Sequence, residues 1–112
     1  MQGDAIAMTD KRLVMTTAGS EEEARRIANT LVEKKLAACV SIVARMESVY
    51  TWKGNTQESQ ELLVLIKTTA AAFERVRDAI KQMHSYEVPE VLSFAIDDGN
   101  AEYLDWIGTS VQ

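Results

Sequence analysis

Hydrophobic positions along this chain switch between strand-like alternation and helix-like spacing, and the switches mark out its elements. Lys11-Arg12-Leu13-Val14-Met15-Thr16-Thr17 is short, apolar at its centre and β-branched, and Ala18-Gly19-Ser20 follows it, which predicts a first strand closed by a loop. Ala24, Ile27, Ala28, Leu31 and Val32 then recur at helical spacing. Ser20 and Glu23 have the spacing of a capping box, Glu21, Glu22 and Glu23 suit the positive end of the helix dipole, and Lys34 and Lys35 suit the other end.

From Ala38 to Trp52 the pattern is strand again, nearly continuous through Cys39-Val40-Ser41-Ile42-Val43 and then alternating around Met46, Ser48, Tyr50 and Trp52. Lys53-Gly54-Asn55 signals a turn, and the chain returns through polar residues 57–61 into Leu62-Leu63-Val64-Leu65-Ile66, so residues 38–69 read as one long hairpin that projects beyond a compact domain. Thr68 and Thr69 offer a cap for a second helix with the stripe Ala72, Phe73, Val76, Ala79, Ile80 and Met83. Val88-Pro89 stops that helix and hands the chain on in extended form, because proline lacks an N–H and disfavours helix at the residue before it. Leu92, Phe94 and Ile96 alternate with Val91, Ser93 and Ala95 as a fourth strand; Asp97-Asp98-Gly99-Asn100 ends it, and a short helix with Tyr103, Leu104, Trp106 and Ile107 follows.

The order β-α-β-β-α-β plus a C-terminal helix is the α+β, ferredoxin-like arrangement, in which helices cover one face of an antiparallel sheet. The run Leu62 to Ile66 is apolar at every position, the pattern of a strand buried on both faces, so the second face needs a cover. In a chain this short that cover is expected to be another copy of itself.

At 112 residues the chain is sized for one domain, with residues 10–112 as its extent and residues 1–9 as a flexible N-terminal tail. A net charge of −5 argues against binding to nucleic acid or to anionic membranes. The single cysteine, Cys39, excludes an intrachain disulfide, and with one histidine it falls short of a structural zinc set; a reducing cytoplasm fits best. The start of the chain lacks the basic and apolar regions of a signal peptide, and no apolar run is long enough to span a bilayer.

The only histidine and the only proline share the stretch His84-Ser85-Tyr86-Glu87-Val88-Pro89-Glu90, the densest gathering of hydrogen-bonding and metal-capable groups in the chain. His84 with Glu87 and Glu90 offers an imidazole and two carboxylates to a borderline divalent ion. The plainer account of the same residues has His84 and Tyr86 satisfying backbone groups at the helix end, Glu87 solvated and Glu90 paired with a lysine. A thiolate–imidazole pair of Cys39 and His84 is a weaker alternative, since Cys39 begins an apolar strand where cysteine behaves as a small hydrophobe, and no enzymatic activity is expected. Other functions of this fold fail on specific positions: the central strands lack aromatic residues for base stacking, and Thr17-Ala18-Gly19-Ser20 carries neither Cys-x-x-Cys for copper(I) nor a cationic cradle for acyl phosphates. Tyr50 and Trp52 on a projecting hairpin are expected to pack on a neighbouring subunit.

Five motifs, taken in order, resemble the CutA divalent-cation-tolerance family from Leu13 to Ile107: Lys35-Leu36-Ala37-Ala38-Cys39-Val40, Tyr50-Thr51-Trp52-Lys53-Gly54, Leu65-Ile66-Lys67-Thr68, residues 84–90, and Tyr103-Leu104-Asp105-Trp106. The resemblance implies a homotrimer of PII-like architecture with hairpins exchanged between neighbours, and a cytoplasmic role in tolerance of copper and other divalent ions. It implies a metal site at His84, Glu87 and Glu90, with Tyr86 and Lys67 as further ligand-binding residues, and copper(II) or another divalent cation as ligand, none being required for folding. Ser85 stands where the family usually has proline, and Thr16 where some members place a cysteine proposed as a ligand, so metal binding is expected to be modest and to rest on neutral His84. The alternative is a PII-like sensor or adaptor taking a small molecule in inter-subunit clefts; a third reading is a trimer that only scaffolds partners.

Overall fold

The computed structural model describes residues 9–112. Its elements are β1 (Lys11–Ala18), α1 (Glu21–Glu33), β2 (Cys39–Trp52), β3 (Asn55–Thr69), α2 (Phe73–Met83), β4 (Val91–Ala95) and α3 (Ala101–Ser110). The strands form one antiparallel sheet in the order β2-β3-β1-β4. This is the ferredoxin-like α+β fold expected from the pattern. The tail reading falls on residues 1–8, outside the described residues, except for Thr9, which belongs to the fold: its hydroxyl donates to the Ile96 carbonyl at 2.6 Å.

The two long helices pack on one face. Ala24, Ile27 and Leu31 of α1 and Val76 and Ile80 of α2 are fully buried against Val14, Val64 and Ile66 of the central strands. Each aliphatic side chain taken from water here stabilises the fold by about 2 kcal/mol. α1 begins as its sequence dictates, with Ser20 Oγ accepting the Glu23 N–H at 3.1 Å. α2 starts later than the threonines suggest: Thr69 Oγ1 caps a turn at Ala72, Thr68 donates to the Leu36 carbonyl at 2.6 Å, and the helix proper opens at Phe73.

The opposite face is apolar and only partly covered. Register places Leu13 beside Phe94, Met15 beside Leu92 and Leu65, and Val43 beside Leu63 on that side. α3 lies over the end where Lys11 and Cys39 stand: Ile107 is fully buried, Gly108 abuts the Lys11 side chain, and the Tyr103 phenol is near Cys39. Beyond it Val43, Leu92 and Phe94 remain 48%, 47% and 45% exposed. A contiguous apolar patch of this kind marks an interaction surface.

β1 pairs with β3 only as far as Leu62, so the rest of the hairpin is a two-stranded ribbon. Lys53 and Gly54 turn it with φ of 53° and 82°, the left-handed pair that a two-residue hairpin loop requires and that Gly54 adopts without strain. Between Val43 and Met46 the register slips by a β-bulge, with Arg45 left-handed at φ 67°. Paired residues of an antiparallel ladder point to the same side. The slip therefore leaves Met46, Ser48, Tyr50 and Trp52 on the same face as Cys39, Ser41 and Val43, which is also the face of Glu61 and Thr17. Among the described residues no helix is long and apolar enough to cross a membrane.

Candidate functional site

The connection between α2 and β4 runs across the end of the sheet, and it is fastened there by side chains. α2 ends at Met83, the last residue of its apolar stripe and ahead of the proline. The N–H groups that would continue the helix are taken by other acceptors: Ser85 N–H donates to Glu23 Oε2 at 2.7 Å and Tyr86 N–H to His84 Nδ1 at 3.1 Å. Glu23 Oε1 also accepts the Gly19 N–H at 3.2 Å. The capping glutamate thus reaches past its own cap to hold a loop far along the chain.

His84 is fully enclosed, its side chain 0% exposed. Its Nε2 lies 2.6 Å from the Thr17 carbonyl oxygen, which can only accept, so Nε2 carries the proton. Nδ1 accepts from Tyr86 and stands 3.7 Å from Glu23 Oε2. The ring is therefore the neutral Nε2–H tautomer, with both nitrogens engaged in holding the connection to β1. This is the plainer of the two sequence accounts of His84, reached with different partners.

Tyr86 turns outward from this anchor and donates to Glu61 Oε2 at 2.8 Å; Thr17 Oγ1 donates to the same oxygen at 3.1 Å. Glu61 is 7% exposed. Burial pulls its carboxyl upward, but the hydroxyls of Ser48, Tyr86 and Thr17 more than reverse this and hold it below the usual glutamate range. The same opposition acts on Glu23, where burial is outweighed by the Ser85 and Gly19 donors. The Tyr86 phenol is pushed well up, first by burial and then by the carboxylate it donates to.

Above Glu61 a cleft of about 590 Å³ opens between the hairpin and the connection, lined by Thr17, Ser48, Val49, Tyr50, Trp52, Glu61, Tyr86, Glu87, Val88 and Glu90. Tyr50 and Trp52 line this cleft and remain 45% and 42% exposed within the single chain. Glu87 and Glu90 are exposed on the cleft wall, apart from the enclosed imidazole. Among the described residues no three His, Cys, Asp or Glu side chains gather closely enough to hold a metal ion.

Lys67 is elsewhere: it faces Leu13 and Cys39 in the register, roughly 13 Å along β1 from Thr17. Its ammonium donates to Ser41 Oγ at 3.2 Å. Cys39 stands at that same end, so it forms no pair with His84. Sequence reading missed Glu23, Glu61 and Thr17. Glu61 left one trace, an acid directly abutting the apolar run that begins at Leu62.

The linkage of these groups to folding sets two pH limits. Glu23 and Glu61 have folded-state pKa values below their ordinary 4.5, so their contribution is complete above about pH 4.5 and is lost as pH falls through the lowered values. Tyr86 and Tyr103 are raised above their ordinary 10.0, so theirs is complete below pH 10 and is lost at higher pH. Melting temperatures followed by circular dichroism from pH 3 to 11 are expected to fall at both ends, and Tyr86→Phe to flatten the alkaline fall while Tyr103 keeps part of it. An unchanged alkaline limb in Tyr86→Phe would contradict the assignment.

Fold and site together define a small ferredoxin-like domain with an extended hairpin, an open apolar sheet face and an acid- and aromatic-lined cleft. Residues 12–110 match the family described as CutA1 divalent ion tolerance protein, and the chain belongs to that family. The divalent-cation tolerance protein CutA of Thermus thermophilus is 50% identical over 97 residues, covering 87% of this chain and 94% of that one. A solved Thermus thermophilus structure has a TM-score of 0.90 at 47% identity, over 91% of this chain and 99% of that one. CutA1 from Oryza sativa follows with 0.90 at 37%, over 94% and 96%. The Archaeoglobus fulgidus structure, described as a periplasmic divalent cation tolerance protein, has 0.88 at 42%, over 91% and 99%.

Proposed function

We propose that the protein serves tolerance of divalent metal ions, copper among them, as a cytoplasmic homotrimer that binds its ligand at the cleft beside residues 86–90. Family membership supports the tolerance role, and the open apolar face around Phe94 supports assembly. The acidic charge and single cysteine favour the cytoplasm, although one relative carries a periplasmic description. The chain is read as a binding protein rather than an enzyme, since Cys39 and His84 stand at opposite ends of β1.

The observation that carries the site is the trio Glu61, Glu87 and Glu90 around one cleft, with no basic side chain among the described residues that line it. Of the residues expected to ligate metal, Glu87 and Glu90 are open to that cleft, and they supply oxygen donors suited to hard or borderline ions. A neighbouring copy or water would complete the coordination; His84 could join only by giving up the Thr17 carbonyl or the Tyr86 N–H. Light scattering during size exclusion is expected to give the mass of a trimer, against 12.5 kDa for one chain. In a competitive copper(II) titration, Glu87→Gln with Glu90→Gln is expected to weaken binding about tenfold and leave the trimer intact. Equal binding by wild type and this variant would remove the metal site from the cleft.

A second reading, a PII-like sensor or adaptor for a small molecule, is favoured by the cleft's volume of about 590 Å³ and its aromatic walls, which exceed what a bare ion needs.

A further inference from the structure

We propose that Asp98-Gly99, in the connection between β4 and α3, is a site of spontaneous isomerisation, where the chain re-links itself through the Asp98 side chain and presents an isoaspartyl carboxylate. It is the only Asp-Gly or Asn-Gly step in the sequence. Both residues are exposed, and the connection leaves the sheet at the end where Arg12 pairs with Ala95, away from Thr17 and the cleft.

The reaction requires the Asp98 carboxyl carbon to meet the Gly99 nitrogen, and the chain already folds the one back on the other: Gly99 N–H donates to Asp98 Oδ1 at 2.8 Å. Groups held in contact have most of the cost of approach met in advance. Gly99 has no Cβ to shield its nitrogen, and residues 96–100 belong to neither helix nor strand, so this peptide can turn without breaking a ladder. The other aspartates lack one or both features. Lys11, Ala79 and Trp106, which follow Asp10, Asp78 and Asp105, lie within β1, α2 and α3, and Asp97 is followed by a residue with a charged side chain.

The step balances without a co-reactant other than water. In the protonated acid the Gly99 nitrogen attacks Cγ; the N–Cγ bond forms, the Cγ–OH bond breaks, and the hydroxyl leaves with the amide proton as water. The product is a succinimide ring. Water then adds to one of its two carbonyls. Opening at Cγ restores aspartate, whereas opening at the Asp98 main-chain carbonyl breaks the original peptide bond and leaves the chain running through Cγ, with the mass unchanged.

The rearrangement lengthens the main chain by one carbon just ahead of the cap of α3. Asn100 Oδ1 accepts Glu102 N–H at 2.9 Å and Tyr103 N–H at 3.3 Å, and its carbonyl accepts Leu104 N–H at 2.9 Å. These bonds start the helix that buries Ile107. A displaced cap weakens a helix, so the isomerised chain is expected to melt at a lower temperature.

The test ages the full-length assembled protein for weeks at neutral pH and digests it with trypsin. Peptide 82–112 is then read for isoaspartate by fragmentation, and the intact protein by methyl transfer from S-adenosylmethionine with an isoaspartyl methyltransferase. Isoaspartate is expected to accumulate at Asp98 severalfold faster than at Asp78 or Asp105. Gly99→Ala is expected to slow this severalfold while folding normally, since the added Cβ would meet only the Leu104 side chain, at 3.5 to 3.6 Å. Asp98→Glu keeps the charge but would need a larger ring, and its melting temperature is expected to hold on ageing while that of wild type falls. Isoaspartate at Asp98 no faster than at Asp78 and Asp105 would overturn the proposal and leave the 2.8 Å contact as a settled local hydrogen bond. Accumulation in Gly99→Ala equal to that in wild type would overturn it as well.

Discussion

Replacing Glu23 with alanine is expected to destabilise the protein by about 3 kcal/mol, a large share of the stability of a domain this size. The carboxylate holds two backbone donors at once, Ser85 N–H at 2.7 Å and Gly19 N–H at 3.2 Å, and Glu23 is 5% exposed. Hydrogen bonds to an ionised acceptor contribute about 1.5–3 kcal/mol each, and water can reach only part of what alanine would leave unpaired. The damage spreads along a definite path. Without the Ser85 anchor the connection loosens, His84 loses its seat under Thr17, and Tyr86 loses its aim at Glu61. Urea midpoints compared at equal chain concentration give the magnitude, and hydrogen exchange at Ser85 and Tyr86 gives the path. Glu23→Gln, which keeps one acceptor oxygen, is expected to lose about half as much. A loss below about 0.5 kcal/mol for the alanine variant would mean that the connection is held by something else.

Phe94→Glu is expected to dissociate the assembly while leaving the single chain folded. Phe94 sits 45% exposed on β4 beside Leu13, next to Leu92 and the partly covered Met15, Leu63 and Leu65. Within one chain the substitution touches a half-wet surface and alters little. In a trimer it removes apolar burial of about 1 kcal/mol per chain and puts an unpaired carboxylate into each buried face, at several kcal/mol apiece. Light scattering should then report a mass near 12.5 kDa with an unchanged far-ultraviolet spectrum. A variant that keeps its multimeric mass would exclude this face from the interface.

The fold was legible because its signals are repetitive. Helical stripes such as Ala24, Ile27 and Leu31, and the unbroken run Leu62 to Ile66, restate the same instruction over several residues, and they placed the elements with errors of only a few positions. The site was legible in part, through the unusual density of chemistry in residues 84–90. What escaped was the set of partners. Glu23 looks like one more acid at a helix start, and nothing local says that it meets Ser85, 62 residues later. Glu61 looks like the last polar residue of a ribbon. Lys67 shares a strand with Glu61 but stands at the other end of β1. The end of α2 was legible at Met83, where its apolar stripe stops, but its cause was not: Glu23 and His84 capture the next N–H groups, an event of tertiary structure that no proline records.

The bulge at Arg45 also changes how this ribbon can evolve. Substitution alters one side chain at a time, whereas pairing every residue of the strand evenly, with the bulge flattened and its extra residue kept, would exchange two whole sets of side chains. Val49 and Thr51 would then look toward Glu61, and Tyr50 and Trp52 would look away, with the amino-acid content of the ribbon unchanged. The bulge thus absorbs one residue and keeps the aromatic positions at their address, and a relative that lost both the extra residue and the bulge would present the same face.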